Sequence, residues 1–311
     1  MRIKSNFGEK KALSQTRETE KFYFLVFEGE ETEVQYFEGL KDNREELNLN
    51  SSIKIVHLLR SFKNKSVSNP EKILMDISKK VEQNNNDTIS SSDLAEQIIN
   101  FLGEKKFINT TNEAVLEAKE KDIATIIENH FSTELKKNNL DNIIKSIGNE
   151  LLNMLEIETS INEICNYIES QNLTYDENVD KICFIFDRDP QSFKGKQYDN
   201  VLDICNRKKF KLFITNPCFE FWLLLHYTDC EEYNVCDLLQ NNRVSRRKHF
   251  LEKELSIISP NGYKKNNIHF DNFKDKIDIA IENEKKYCEN LNFLKDKLGS
   301  NIGKLISELK N

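Results

Sequence analysis

Short apolar runs, most of them followed by an amphipathic stretch, organise most of the chain. Four runs have the length of buried strands and lack apolar–polar alternation: FYFLVF (22–27), IKIVHLL (53–59), KICFIF (181–186) and FKLFIT (210–215). Helical patterns follow in TEVQYFEGLKDN, PEKILMDISKKVEQ, KQYDNVLDICNRK and CFEFWLLLHY. This order predicts an α/β fold in which helices cover both faces of a parallel sheet.

One long segment departs from this alternation. Residues 84–158 show helical patterns bounded by polar residues, although a parallel α/β unit needs only a short connection there. We interpret this segment as a helical insertion that divides the core into residues 1–83 and 159–311. Its apolar stripe is expected either to pack on itself or to face a partner or a second copy. The stripe consists of Ile143, Ile144, Ile147, Leu151, Leu152 and Leu155.

Composition narrows the class of protein. With 311 residues, a net charge of −7, 31% charged and 38% hydrophobic residues, the chain has a globular composition. No apolar run approaches the roughly 20 residues of a membrane span, and the N-terminus lacks a signal-peptide core. We therefore expect a cytoplasmic protein with no membrane partner. The 7 scattered cysteines favour reduced thiols over disulfides or a zinc site. Walker, Rossmann and GxSxG motifs are absent.

Acidic side chains follow two of the predicted strands. Glu28 ends the first strand and Glu33 lies five residues further on, while Asp187 and Asp189 end the third. The carboxyl ends of parallel strands meet at the edge of the sheet where ligands bind. Crowded carboxylates are tolerated in open water or around a cation, and oxygen ligands alone favour Mg²⁺ or Mn²⁺. The alternative is that these residues form a turn, a helix cap and a solvated helix start.

Further candidates lie in the C-terminal half. Glu220 stands among apolar residues, where a carboxylate is costly unless it is paired or bound to a metal. Lys265 either stabilises charge on a phosphate or is a solvated loop lysine. His226 is expected to be a hydrogen-bonded core residue rather than a base. The run RVSRRKH (243–249) is either a solvated helix face or a contact for a nucleic-acid backbone. Its basic residues are Arg243, Arg246, Arg247 and Lys248.

Several of these motifs resemble those of one family. The EGE segment and the later DxD resemble the Toprim domain of topoisomerases, primases and old-family nucleases, and more closely the RloB/AbiLii-like Toprim proteins. The similar segments cover nearly the whole chain outside 84–158. They are EGEETEVQYF (28–37), FIFDRDP (184–190), TNPCFEFWLLLHY (215–227), YKKN (263–266) and NIGKLISEL (301–309).

The resemblance implies a Toprim-like parallel sheet flanked by helices, with a metal-dependent phosphoryl-transfer site. Glu28, Asp187 and Asp189 match the acidic triad expected to hold Mg²⁺ or Mn²⁺. Glu33 matches the acidic residue after the EG turn, with one more intervening residue than in many Toprim proteins. The family is generally associated with defence against phage, often beside a separately encoded ATPase.

The sequence therefore predicts a Mg²⁺-dependent nuclease that acts on RNA, tRNA or DNA in anti-phage defence. Glu28, Asp187 and Asp189 would hold the metal, with Glu33, Glu220 and Lys265 assisting. The alternative is a non-catalytic nucleic-acid-binding or scaffold subunit of a complex that contains an ATPase. The chain is less consistent with a topoisomerase or a primase, because the chain lacks room for the additional domains of those enzymes. Assembly with the ATPase or with a second copy is expected to involve the insertion.

Overall fold

A computed structural model describes residues 21–29, 31–50, 52–55, 69–84, 88–109, 112–155, 157, 159–171, 178–190, 193–246 and 248–311. Within these residues the strands are β1 (Phe22–Phe27), β2 (Ser52–Ile55), β3 (Thr88–Ser90), β4 (Glu134–Lys136), β5 (Lys181–Asp187), β6 (Lys211–Asn216) and β7 (Gly299–Ser300). The main sheet has the order β2-β1-β5-β6-β7. Its first four strands are parallel, and β7 pairs with β6 in the antiparallel direction.

Helices make up most of the remaining described chain. They are α1 (Thr32–Asp42), α2 (Pro70–Asn84), α3 (Ser91–Glu104), α4 (Glu113–His130), α5 (Leu140–Leu155), α6 (Ile161–Gln171), α7 (Gly195–Lys208), α8 (Phe219–Leu224), α9 (Val235–Gln240), α10 (Phe250–Ile258), α11 (Ile277–Glu284), α12 (Leu291–Leu294) and α13 (Ile302–Lys310). Single 3-10 turns occupy Lys137–Asn139, Phe270–Asn272 and Lys274–Lys276. None of these helices combines the length and the apolar character that crossing a bilayer requires.

Both faces of the main sheet are buried, as the unalternated strands predict. Tyr23, Leu25 and Phe27 of β1 pack in one core with α1, α8 and α13. Phe24 and Val26 point to the opposite face and pack with α2 and α7. Successive strand residues alternate between faces, so an entirely apolar run needs a cover on each side. The expectation of a helix-flanked, parallel-dominated sheet is therefore confirmed.

One predicted helix is longer than the helix in the structure, and one predicted strand is described only in part. The helix expected over CFEFWLLLHY is only the six residues of α8. The N–H groups of His226 and Tyr227 bond to carbonyls three residues back, which tightens the backbone and ends the helix. The strand expected at 53–59 is described only as β2, and the rest of that run lies outside the described residues.

The inserted segment has a hydrophobic core of its own. That core extends from Ile89 to Ile168 and so includes α6, beyond the predicted boundary at residue 158. The segment is not purely helical, because β3 and β4 pair as a small antiparallel sheet. Five members of the apolar stripe are buried in this core and Leu152 is half-buried. The stripe thus packs on the segment itself, and a partner would have to contact other residues.

Candidate functional site

Three loops bring acidic residues to the carboxyl edge of the main sheet. Glu28 follows β1 directly, and Asp187 is the last residue of β5. The short β1–α1 connection places Glu33 in the first turn of α1, while Glu220 lies in the first turn of α8, after β6. Because β1, β5 and β6 are parallel neighbours, their ends and the helices that follow them converge.

Glu33 is buried, with 8% of its surface exposed. Its carboxylate accepts a hydrogen bond from its own backbone N–H. Burial raises the pKa of Glu33, and the negative charge of Glu220 raises it further. A Cβ atom at Gly29 would lie 3.0 Å from Glu33 Oε2, so glycine leaves room for this carboxylate beside the turn.

Asp187 is oriented by the backbone of α8. The N–H of Phe219 donates to Asp187 Oδ1 over 2.8 Å. Burial raises the pKa of Asp187 well above its usual range, and repulsion from Glu33, Glu220 and Glu28 acts in the same direction. The carboxylates of Glu33, Glu220 and Glu28 therefore each oppose the ionisation of Asp187.

Glu220 is the most deeply buried of these carboxylates, with 2% of its surface exposed. The hydroxyl of Tyr263 donates to Glu220 Oε1 over 2.9 Å, and Lys265 Nζ lies 3.5 Å from the same oxygen. Burial alone would raise the pKa of Glu220, but the charge of Lys265 and the hydrogen bonds from Cys218 and Tyr263 outweigh it and lower the pKa. Glu220 therefore ionises more readily than Glu33 and Asp187, whose pKa values are raised.

The segment that carries Lys265 is tied to α1. Thr32 Oγ1 donates to the Lys265 carbonyl over 2.9 Å and lies 3.4 Å from the Tyr263 hydroxyl oxygen. The carboxylate of Glu220 raises the pKa of Lys265, so its ammonium group stays charged. The sequence does not single out Thr32 and Tyr263 as site residues, because their contacts join segments that are 43 to 233 positions apart.

Cys218 is a second residue that sequence reasoning did not place in the site. Its thiol donates to Glu220, and its sulfur accepts from Asn241 Nδ2 over 3.3 Å. Burial raises the pKa of the Cys218 thiol, and the charges of Glu220 and Asp187 raise it further. All 7 cysteines are free, and Cys218 is half-buried, packing against the apolar core on one side and contacting Glu220 on the other.

Five of the six predicted catalytic and metal-binding residues influence one another electrostatically. Glu28, Glu33, Asp187, Glu220 and Lys265 share the carboxyl edge of the sheet. Asp189 is exposed, and the largest electrostatic effects on Asp187 come from other acids in the cluster and from Lys265. The backbone carbonyl of Asp189 accepts from Phe193 N over 2.8 Å.

The donor chemistry of the edge fits Mg²⁺ or Mn²⁺. Among the described residues, no three His, Cys, Asp or Glu side chains already stand in an arrangement that would hold a metal ion. Asp187 and Glu220 instead accept hydrogen bonds from protein groups. Carboxylate oxygens are nevertheless the ligands that these cations prefer, and a cation would relieve the repulsion that raises the pKa of Glu33 and Asp187.

The described residues of the basic run lie before α10 and not on a helix face, and the choice between a solvated surface and a nucleic-acid contact stays a prediction. Arg243 and His249 pair as an antiparallel bridge. Arg243 and Arg246 are exposed, whereas Lys248 is half-buried and its ammonium group donates to Ser256 Oγ. Arg247 lies outside the described residues.

Asn241 connects this basic turn to the carboxylate edge. Its side-chain amide donates to Cys218 at the start of α8, and its Oδ1 accepts from Leu251 N over 3.0 Å. Its carbonyl lies 2.8 Å from His249 Nδ1. The turn that carries Arg243 and Arg246 is thus anchored beside the acidic cluster rather than at a remote surface.

His226 belongs to the core, as expected. It is 1% exposed, with Nδ1 3.1 Å from the Trp222 carbonyl and Nε2 3.0 Å from the Tyr36 hydroxyl. Burial lowers the pKa of His226 to about 3, so the ring is neutral at physiological pH. It holds α8 against α1 and so helps to place Glu220 and Glu33.

The fold and this edge define an α/β protein with a cluster of buried and half-buried carboxylates at the carboxyl edge of a parallel sheet. Residues 117–309, more than half of the chain, match the family model of RloB-like proteins. The chain therefore belongs to the RloB-like family. No curated protein and no solved structure matches it.

Proposed function

We propose that this protein has a Toprim-type fold and acts as a Mg²⁺- or Mn²⁺-dependent nuclease on RNA, including tRNA, or DNA. The observation that carries the proposal is the convergence of Glu33, Asp187 and Glu220 with Lys265 at the carboxyl edge. The pKa values of Glu33 and Asp187 are raised, and carboxylates held in this way are destabilising for a purely structural protein, so a role in binding or chemistry is favoured.

Each residue of the edge has a role in this proposal. Glu28, Asp187 and Asp189 would hold the metal ion, as the family motif implies, and Glu33 and Glu220 would assist. A bound Mg²⁺ polarises a phosphate oxygen and lowers the pKa of a bound water. Asp187 is held in orientation by the Phe219 N–H, a distance of 2.8 Å.

Two cationic groups would receive the nucleic acid. Lys265 carries a charged ammonium group at the edge, where it can pair with a phosphate oxygen. Arg243 and Arg246 extend the positive surface from the anchored turn and would contact the backbone of either RNA or DNA. Phosphate contacts of this kind give affinity without sequence preference.

The biological setting follows from the family resemblance. We propose a cytoplasmic effector of abortive infection that a separate ATPase partner controls. Assembly with that ATPase, or as a homo-oligomer through the insertion, would use the outer surface of the insertion, because its apolar stripe is buried in its own core.

A non-catalytic nucleic-acid-binding or scaffold subunit is the second candidate. One observation favours it: Lys265 and Tyr263 already satisfy the Glu220 carboxylate in the described arrangement. Such a subunit would bind nucleic acid without cleaving it, which separates the two candidates experimentally.

A cleavage assay tests the proposal. Purified protein is incubated with labelled DNA, total RNA and tRNA, with Mg²⁺, with Mn²⁺ and with EDTA. We expect cleavage only with a divalent cation, and loss of cleavage in Asp187→Asn. The matched control is Asp203→Asn, which removes an exposed carboxylate from α7. Cleavage that persists in EDTA, or that Asp187→Asn retains, contradicts the proposal.

A further inference from the structure

The ammonium group of Lys265 lies beside the most deeply buried carboxylate of the edge. Lys265 Nζ lies 3.5 Å from Glu220 Oε1, and Glu220 is 2% exposed. The same positive charge also favours the ionised forms of Glu33 and Asp187. Lys265 therefore neutralises the carboxylate cluster from within the chain.

The backbone of Lys265 is fixed while its side chain remains accessible. The carbonyl of Lys265 accepts from Thr32 Oγ1 over 2.9 Å, and Tyr263 two residues earlier is bound to Glu220. The Lys265 side chain is 54% exposed. The ammonium group can therefore leave Glu220 by rotation about side-chain bonds, without displacing the loop that carries it.

A divalent cation and the ammonium group compete for the same carboxylate. Two positive groups within contact distance of Glu220 Oε1 repel each other, and the repulsion is strong where water is scarce. The ion pair of Glu220 must be broken before this carboxylate can act as a full metal ligand. A divalent cation at Glu220 thus weakens the contact between the ammonium group and this carboxylate. The ammonium group weakens binding of the divalent cation by the same free energy.

We infer that Lys265 is the built-in counter-ion of the carboxylate cluster, and that a divalent cation displaces its ammonium group from Glu220 and so frees it for an anionic phosphate. The inference rests on the proposed function, since it assumes that the edge takes a divalent cation. The inference adds a coupling between cation binding and phosphate binding. Lys265 would pair with Glu220 without the divalent cation and with a phosphate when the cation is bound.

Calorimetric titration with Mn²⁺ at pH 8 tests the competition. The proteins are wild type, Lys265→Met and the matched control Lys264→Met, whose lysine is exposed on the same loop. Removal of the competing ammonium group should tighten Mn²⁺ binding about tenfold in Lys265→Met and leave Lys264→Met unchanged. Without Mn²⁺, Lys265→Met should melt at a lower temperature than wild type, because Glu220 has lost its ion pair.

The outcomes separate the two proposals. If all three proteins bind Mn²⁺ with equal affinity, or Lys265→Met binds more weakly, the counter-ion inference is overturned while the metal site stands. If wild type and both variants show no saturable Mn²⁺ binding, the proposed metal-dependent function fails and the inference fails with it.

A second measurement uses wild-type protein and does not depend on the folding of a variant. Lysine side chains are acetylated with an amine-reactive ester, with and without Mn²⁺, and the modified sites are quantified by mass spectrometry. Displacement from Glu220 should increase acetylation of Lys265 several-fold and leave that of Lys264 unchanged. Equal acetylation of Lys265 in both conditions, at a Mn²⁺ concentration that saturates the protein, overturns the inference.

Discussion

The carboxyl edge of the main sheet and the core of the insertion bury side chains of opposite kinds. The insertion buries an apolar stripe against its own helices, so burial and stability act in the same direction there. The edge instead buries the carboxylates of Glu33 and Glu220, and removing these groups from water costs free energy. The burial of the apolar stripe therefore needs no partner to explain it, whereas the buried carboxylates need a ligand or a counter-ion.

The largest expected effect is on the apolar side of this comparison. Leu151 is 0% exposed within the insertion core. Leu151→Ala should lower the free energy of unfolding of that unit by about 2–5 kcal/mol, because a buried cavity remains. Leu152→Ala on the half-buried neighbour is the matched control and should cost less. Urea unfolding measures both, and equal losses would contradict the assignment of the core.

Glu284 is also a buried carboxylate, and its hydrogen bonds to the backbone explain its burial. Both of its oxygens accept from Gly303 N at the start of α13, over 3.1 and 3.0 Å. Burial raises the pKa of Glu284 to about 7 from 4.5. Its contribution to stability is therefore full below pH 4.5 and is lost as pH rises through 7. The loss amounts to about 3 kcal/mol.

Glu284→Gln tests this pH dependence. The amide stays neutral and keeps an acceptor for Gly303 N, so the variant should gain stability relative to wild type between pH 5 and pH 8. Urea unfolding at both values gives the difference in free energy. An identical difference at pH 5 and pH 8 would rule out titration of Glu284 in this range.

At the carboxylate edge the expected effect is smaller and opposite in sign to that in the insertion. Asp187→Asn removes a repelling charge yet keeps an acceptor for the Phe219 N–H. In EDTA at pH 8 the variant should be about 1 kcal/mol more stable than wild type. Asp203→Asn on exposed α7 should change little. A clear loss of stability in Asp187→Asn would mean that the carboxylate is structural.

The basic turn should give the smallest effect. Arg243→Gln and Arg246→Gln together remove two exposed charges from the turn. Binding of nucleic acid should weaken to a similar extent for different sequences, and the salt dependence of the binding constant should flatten by about one to two charges. Lys253→Gln on α10 is the control, since Lys253 lies outside the run. An unchanged salt dependence would mean that the turn is a solvated surface that does not contact nucleic acid.

Much of the main sheet and part of the site could be predicted from the sequence. Unalternated apolar runs indicate strands buried on both faces, and acids at the ends of those strands must share an edge. Two residues of β7 are too few to leave an apolar pattern. Their pairing depends instead on Gly299, where a Cβ atom would clash with the backbone of Cys288.

The remaining parts of the site depend on contacts between distant segments. Thr32 and Lys265 are separated by 233 positions, and Tyr263 and Glu220 by 43. Periodicity and local motifs carry no information about such pairs, so the sequence could nominate Glu220 and Lys265 but could not show that they form an ion pair.

A titration of cation-stripped protein with Mn²⁺ shows whether the carboxylates at the edge of the sheet bind a divalent cation. Electron paramagnetic resonance counts free Mn²⁺ during a titration of wild type, Asp187→Asn and Asp203→Asn. We expect saturable binding by wild type and Asp203→Asn, and binding at least about tenfold weaker in Asp187→Asn. Absence of saturable binding in wild type, or equal affinity in Asp187→Asn, would contradict this expectation.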